Sequence, residues 1–313
     1  MASLALLAFA CDAGDLSVET ASGSSVGDAA FGGPDLAVAD DPDGGQDATA
    51  EDAGAEDAPD QGAVAPDAAG GGPIEGGVLI FEVDTGYASA DRGNAAASFG
   101  PPAAESPPSY VAGPCEVRWH GTEAPPGPSA DAGVIQITGT AVPVDLQRAP
   151  ESGVYRSSLP DTNADIFAKG GGPIHVASTG GAEVPPFSGD LPAPAPVQIT
   201  APALGLTSFV STSEPMTVTW TADAPGKVAR TLVGVSAVGL DFKPISGDAV
   251  VCTVPGDAIT VTVPKEAMAA LPGTFGTRLV VSVTRVVEAH VSAGGVPVTL
   301  AATASFGGVA SAK

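Results

Sequence analysis

From Gly76 onward the chain alternates apolar and polar residues with a period of two. Ile135-Gln136-Ile137-Thr138 and Val142-Pro143-Val144-Asp145-Leu146 show the pattern. So do Met216-Thr217-Val218-Thr219-Trp220-Thr221 and Ile259-Thr260-Val261-Thr262-Val263. Val298-Thr299-Leu300-Ala301-Ala302 repeats it and continues to Phe306. Apolar-in, polar-out alternation at this period predicts half-buried antiparallel strands. Val and Thr dominate the runs, as a pleated, half-buried surface favours. Leu79–Val83 and Leu279–Val283 are more continuously apolar, which predicts central strands. Gly and Pro clusters separate the runs, as at Gly100-Pro101-Pro102, Pro125-Pro126-Gly127-Pro128 and Gly170-Gly171-Gly172-Pro173. One segment reads as a helix, Pro264–Leu271, with Pro at its start and Pro272-Gly273 after its end. The prediction is an all-β fold of one or two antiparallel sandwiches with one short helix.

Residues 75–313 are too many for one seven-stranded sandwich of about 100 residues. The run Leu191-Pro192-Ala193-Pro194-Ala195-Pro196 is the best internal boundary. It predicts one sandwich over 75–196 and a second over 197–313, with a single larger two-sheet domain as the alternative. Cys115–Trp119 and Met216–Trp220, two short strands that end in Trp, allow a weak internal repeat.

The N-terminal quarter differs in kind. Residues 1–74 hold 15 of the 36 acidic residues and none of the 12 Lys and Arg, and the first basic residue is Arg92. Asp40-Asp41-Pro42-Asp43-Gly44-Gly45 is typical of the stretch. Such a segment has too little apolar surface to offset its chain entropy, and its charges repel. Residues 12–74 are therefore expected to be a disordered acidic linker. A net charge of −24 excludes nucleic-acid binding by phosphate neutralisation. The sequence has no apolar run long enough for a spanning helix. Three cysteines cannot make a disulfide-dense scaffold.

Catalytic patterns are sparse. His120, His175 and His290 lie at least 55 residues apart and form no ligand pair with metal-site spacing. Neither a metal nor a cofactor is expected. Gly23-Ser24-Ser25-Val26-Gly27 matches a nucleophile-elbow string, but it lies in the linker without the strand and helix the elbow needs. Asp41-Pro42-Asp43-Gly44 begins like a calcium loop, but Gly45 and Gln46 stand where a ligand and the turn glycine should be. Glu82 and Asp84 share one face of a strand. Two carboxylates could do glycosidase chemistry in an aromatic-lined groove, yet residues 75–313 carry only 13 aromatics, unclustered. A solvated edge is the expected setting for this pair, and no catalytic residue is assigned.

Met1-Ala2-Ser3-Leu4-Ala5-Leu6-Leu7-Ala8-Phe9-Ala10-Cys11 is a short apolar run that ends in small residues and a cysteine. Asp12 opens the charged stretch at once. This arrangement resembles the end of a bacterial lipoprotein signal peptide, in which a small residue precedes a cysteine that is lipidated. Ala8 departs from the family's usual Leu, and no basic n-region precedes the run. The resemblance implies residues 1–11 as a signal remnant and lipidation at Cys11. It also implies a location in the bacterial cell envelope, at the outer membrane or cell surface in preference to the inner membrane. A linker of some 60 residues would span roughly 40–50 Å as a flexible coil. Ser213-Glu214-Pro215-Met216-Thr217-Val218-Thr219-Trp220 resembles an early strand of bacterial immunoglobulin-like or fibronectin type III modules, which implies an Ig-like second sandwich. The whole plan is similar to lipoproteins of high-GC bacteria that join a lipobox, an acidic linker and a Thr/Val/Gly-rich β domain.

With Cys11 lipidated, Cys115 and Cys252 remain. In an oxidising compartment they can form a disulfide, or each can sit as a buried thiol in its strand. The function expected is non-enzymatic: a membrane-tethered surface or periplasmic lipoprotein whose sandwiches bind a protein or glycan partner, or serve envelope structure. The alternatives are a hydrolase acting on envelope polymers or polysaccharide, and a periplasmic carrier of an apolar ligand.

Overall fold

Two long strands run through the whole folded part. They are β16 (Arg278–Ala293) and β17 (Val296–Ala312), paired antiparallel from Arg278↔Ser311 to Ala293↔Val296. Gly294 and Gly295 join them, with φ of 59° and 103°. A two-residue hairpin turn that matches strand twist needs positive φ at both positions, which glycine adopts without strain. The structure, a computed structural model, describes residues 73–84, 92–102, 107–120, 129–150, 153–157, 165–167, 171–222, 228–240, 245, 247–274 and 276–313.

Before the hairpin, the first half of the chain supplies nine strands. They are β1 (Glu75–Asp84), β2 (Arg92–Gly100), β3 (Tyr110–Ala112), β4 (Cys115–His120), β5 (Ile135–Thr138), β6 (Val144–Arg148), β7 (Tyr155–Ser157), β8 (Pro173–Ser178) and β9 (Phe187–Pro192). The second half adds β10 (Ile199–Ala201), β11 (Phe209–Val210), β12 (Met216–Trp220), β13 (Arg230–Val238), β14 (Gly247–Pro255), β15 (Thr260–Val263) and the helix α1 (Lys265–Met268). The protein is all-β with one short helix among the described residues. Pro264 starts that helix and Leu271 follows it into the core.

The main sheet has the order β3-β4-β14-β13-β16-β17-β1-β2-β7-β6-β5-β8-β9, with β11 also on β17. A second sheet is β10-β12-β15. The main sheet is mixed, which corrects the expectation of purely antiparallel strands. β1 runs parallel to β17 from Gly76↔Val298 to Asp84↔Phe306, and β11 pairs with the end of β17 in the same sense. β1 and β17 lie far apart in the chain, so no tight turn dictates their relative direction.

Two cores form on one face of the long hairpin. Val287 and Ala293 of β16, with Val298, Leu300, Ala302 and Ala304 of β17, enter the first core. They meet Ile80 of β1, Phe99 of β2, Ile135 and Ile137 of β5, Leu146 of β6 and Ile174 of β8. The sheet rolls until β9 lies against β16 and β17. Gly189 allows that approach, because a Cβ there would stand 2.7 Å from both Leu300 Cδ1 and Val291 Cγ1. Leu279, Val281 and Val283 of β16 and Ala310 of β17 enter the second core. There the main sheet faces the three-stranded sheet, which contributes Met216, Val218, Trp220, Val261 and Val263.

The expected boundary at 196–197 falls in the connection between β9 and β10. Among the described residues, two strand pairings cross it: β4 with β14 and β1 with β17. The N-terminal run with Cys11, and the acidic linker up to residue 72, lie outside the described residues.

Replacing Gly189 with Val should force β9 off the hairpin. The expected loss is about 1–3 kcal/mol, read as a lower urea midpoint with unchanged slope.

Candidate functional site

Glu82 is the buried carboxylate of the first core. It lies on β1 with its side chain toward the core, between Gly93 of β2 and Ala304 of β17. Those small neighbours leave room for a third segment. Ile166 packs so closely over Gly93 that a Cβ there would stand 2.5 Å from the Ile166 Cβ. Glu82 Oε2 accepts the backbone N–H of Ile166 and of Phe167, each at 3.0 Å. The same segment is held from its other side: Ala141 N–H donates to the Ile166 carbonyl at 2.8 Å, and Phe167 bridges Thr140. Burial pushes the Glu82 carboxyl above the ordinary glutamate range, and the charges of Asp165 and Asp84 push the same way. The two N–H bonds oppose this and do not outweigh it.

The expectation of a solvated edge is therefore corrected. β1 is an interior strand between β17 and β2, and Glu82 is only 9% exposed. Both of its hydrogen bonds reach a segment more than eighty residues away, so nothing near Glu82 in the sequence signals the burial. Chemically the oxygen that carries these bonds is committed to backbone amides. The arrangement anchors residues 165–167 at the end of the first core.

A second anchor lies at Asp131, and the sequence reading missed it. Its carboxylate accepts the N–H of Gly133 at 2.9 Å, the N–H of Ala182 at 3.4 Å and the hydroxyl of Tyr155 at 3.2 Å. The Tyr155 oxygen in turn accepts the Ala132 N–H at 2.7 Å. These bonds, led by the Gly133 N–H, hold the Asp131 carboxyl below the usual aspartate range. Burial raises the Tyr155 phenol. Gly133 has φ of 72°, and a Cβ there would stand 2.2 Å from the Gly180 carbonyl oxygen and 2.4 Å from the Thr179 hydroxyl, so only glycine lets the two loops approach this closely. Asp131-Ala132-Gly133 carried the available signal, an Asp whose side chain bonds the backbone two residues on.

His175 and His290 do not converge. His175 on β8 and Asp190 on β9 face each other in register, with Nδ1 and Oδ1 2.8 Å apart. Thr138 on β5 stands opposite His175 on the other side. This hydroxyl–imidazole–carboxylate row has the order of a nucleophilic triad, but His175 and Asp190 are 49% and 71% exposed. In open water the pair is worth little and gains nothing from a low-dielectric site. His290 pairs with the Thr299 hydroxyl, Nδ1 to Oγ1, at 3.2 Å. The side chain of His120 is outside the described residues, as are the Gly23–Gly27 string and Asp41–Gly44. Among the described residues, no group of three or more His, Cys, Asp or Glu is placed to hold a metal ion.

Cys115 and Cys252 are joined by a disulfide. They are directly opposed on β4 and β14 and are buried in the second core. The bond closes a sequence separation of 137 residues.

Each of the two carboxylate anchors, and the disulfide, can be tested by denaturation. The raised Glu82 pKa means that its contribution to stability is present in acid and fades as pH rises through the folded value. Glu82→Gln keeps an oxygen for both N–H groups. It should raise the urea midpoint at about pH 7–8 and leave it unchanged near about pH 4. Asp131→Asn should behave oppositely: its loss of stability is present near neutrality and vanishes as pH falls through the depressed pKa. Replacing both Cys115 and Cys252 with Ala should lower unfolding stability by about 2–5 kcal/mol, measured by the same denaturation under non-reducing conditions.

No protein-family model matches the chain, and no curated protein is significantly similar to it in sequence.

Proposed function

We propose that this protein is a non-enzymatic bacterial envelope lipoprotein. In this reading it is anchored through a lipid on Cys11 and presents its β body on an acidic tether to a protein or glycan partner. The observation that carries the reading is the order of parts at the N-terminus. An apolar run ends at Ala10-Cys11, and a stretch with 15 acidic residues and no Lys or Arg follows before the first strand begins at Glu75. Acyl chains would hold Cys11 at a membrane, each buried CH₂ contributing about 0.8 kcal/mol.

The fold supports presentation of a surface in preference to catalysis. The two carboxylates with shifted pKa values, Glu82 and Asp131, are engaged with backbone N–H groups. The tether would enter beside the Gly294-Gly295 turn, where Gly76 pairs with Val298. Exposed Leu206, Phe209 and Leu240 gather at the other end of β17. Some thirteen residues of strand separate the two ends, about 40 Å. These apolar side chains thus lie at the end of β17 opposite the start of β1, where a partner could meet them.

We also read the second core as Ig-like. Supporting this are the three-stranded sheet facing β14-β13-β16-β17, the buried Trp220, and the passage of the chain from β10 in one sheet to β11 beside the last strand of the other. The disulfide joins neighbouring strands of a single sheet, unlike the inter-sheet bridge of antibody domains.

The test is mass spectrometry of the protein made in a Gram-negative host with its native upstream region. The expected result is a mature chain that begins at an acylated Cys11. A chain that retains unmodified Met1 would overturn the reading.

A further inference from the structure

The two cores meet at one buried charge. Arg285 lies in the middle of β16, on the face that sends Val283 into the second core and Val287 into the first. It is 1% exposed. Its Nη1 donates to the carbonyls of Ala195 at 3.0 Å and Pro196 at 2.5 Å, and its Nη2 donates to the carbonyl of Thr221 at 2.5 Å. Ala195 and Pro196 belong to the connection between β9 and β10, where the chain leaves the first core. Thr221 directly follows β12, a strand of the small sheet over the second core. On the flanking strands Arg285 stands opposite Ala304 and Thr231. The Thr231 hydroxyl is buried without a hydrogen-bond partner among the described residues.

A guanidinium out of water is tolerated only while its N–H groups have acceptors. Here the acceptors come from segments that serve different cores. We propose that Arg285 is a positioning residue that couples the two cores, so that neither opens without the other. Lifting the 195–196 connection from the hairpin, or lifting the small sheet, strips a buried cation of its carbonyls. The shared hairpin alone does not impose this, because β5 to β9 can peel from the first core while β16 stays paired with β13. The inference is independent of the lipoprotein reading.

The experiment is hydrogen exchange with mass spectrometry on the full chain, following the slowest amides of each core. First-core peptides cover β5, β6 and β8; second-core peptides cover β12 and β13. Val233→Ala leaves a cavity only in the second core. With Arg285 present it should speed exchange in both cores by a common factor, on the order of tenfold. In an Arg285→Met background it should speed the second core alone. The single Arg285→Met variant should make first-core amides exchange at least several-fold faster than second-core amides. Arg285→Lys keeps the charge but cannot reach all three carbonyls, and should give a smaller split in the same direction. It also decides the question if Arg285→Met does not fold. A response confined to the second core in the wild-type background overturns the proposal. So does equal acceleration of both cores in the Arg285→Lys protein.

Discussion

The β16–β17 hairpin is the member on which every other element is hung. Its strands are 16 and 17 residues long, several times the length of β5 or β12. A single-faced strand of ordinary length serves one core. This one is long enough to line two, and it does so on the same face, with Val283 and Val287 on either side of Arg285. The first core then needs a cover that returns to the hairpin, which the roll from β1 through β9 provides. The second needs a separate sheet, which β10, β12 and β15 provide. Strands of the first half join both cores, and the last two strands seal them.

Charge is handled by separation and by backbone. The acidic excess is concentrated in the N-terminal quarter. Within the folded part the notable polar contacts run from a side chain to main-chain groups. Glu82 binds two amides of the 165–167 segment, Asp131 binds two amides of neighbouring loops, and Glu183 accepts the N–H of Asp131 at 2.7 Å. Arg285 answers with carbonyls. An ion pair between flexible side chains on a surface contributes little. A carboxylate or guanidinium that bonds backbone also fixes where a loop runs. These contacts therefore act as pins on the irregular segments, where the ladder hydrogen bonds of the sheet are missing.

The strands with clean alternation were legible from the residues alone. Ile135–Thr138 and Met216–Trp220 form as their period of two requires, and Leu79–Val83 and Leu279–Val283 occupy interior strands. The short helix was legible from Pro264 and Gly273. β2 was not: Arg92-Gly93-Asn94-Ala95-Ala96-Ala97-Ser98-Phe99-Gly100 has weak strand propensity and becomes a strand because it lies between β1 and β7. That is tertiary context overriding local preference. The parallel pairing of β1 with β17 was illegible for a related reason. It joins opposite ends of the folded chain, and no turn announces it. Glu82 looked like one half of an exposed pair because its cover comes from residues 165–167. The Gly294-Gly295 and Asp131-Ala132-Gly133 signals were present in the residues, and both mark turns that the alternation pattern by itself does not rank above the many other glycine clusters.

The scarcity of aromatics explains why so much sheet is needed. Val and Ala fill most core positions, and each buries less apolar area than an aromatic ring. The first core concentrates its rings: Phe99 meets Tyr155 edge-on at 5.8 Å and Phe187 at 5.9 Å between centroids. The second core has Trp220 with Met216 and Met268, and adds the Cys115–Cys252 bond between two of its strands. Each core thus supplements its small aliphatic side chains by a different means. Neither supplement reaches the middle of the hairpin, where the two cores end. An apolar side chain at position 285 would leave the carbonyls of Ala195, Pro196 and Thr221 without their donor. The buried arginine satisfies the backbone that passes between the two cores.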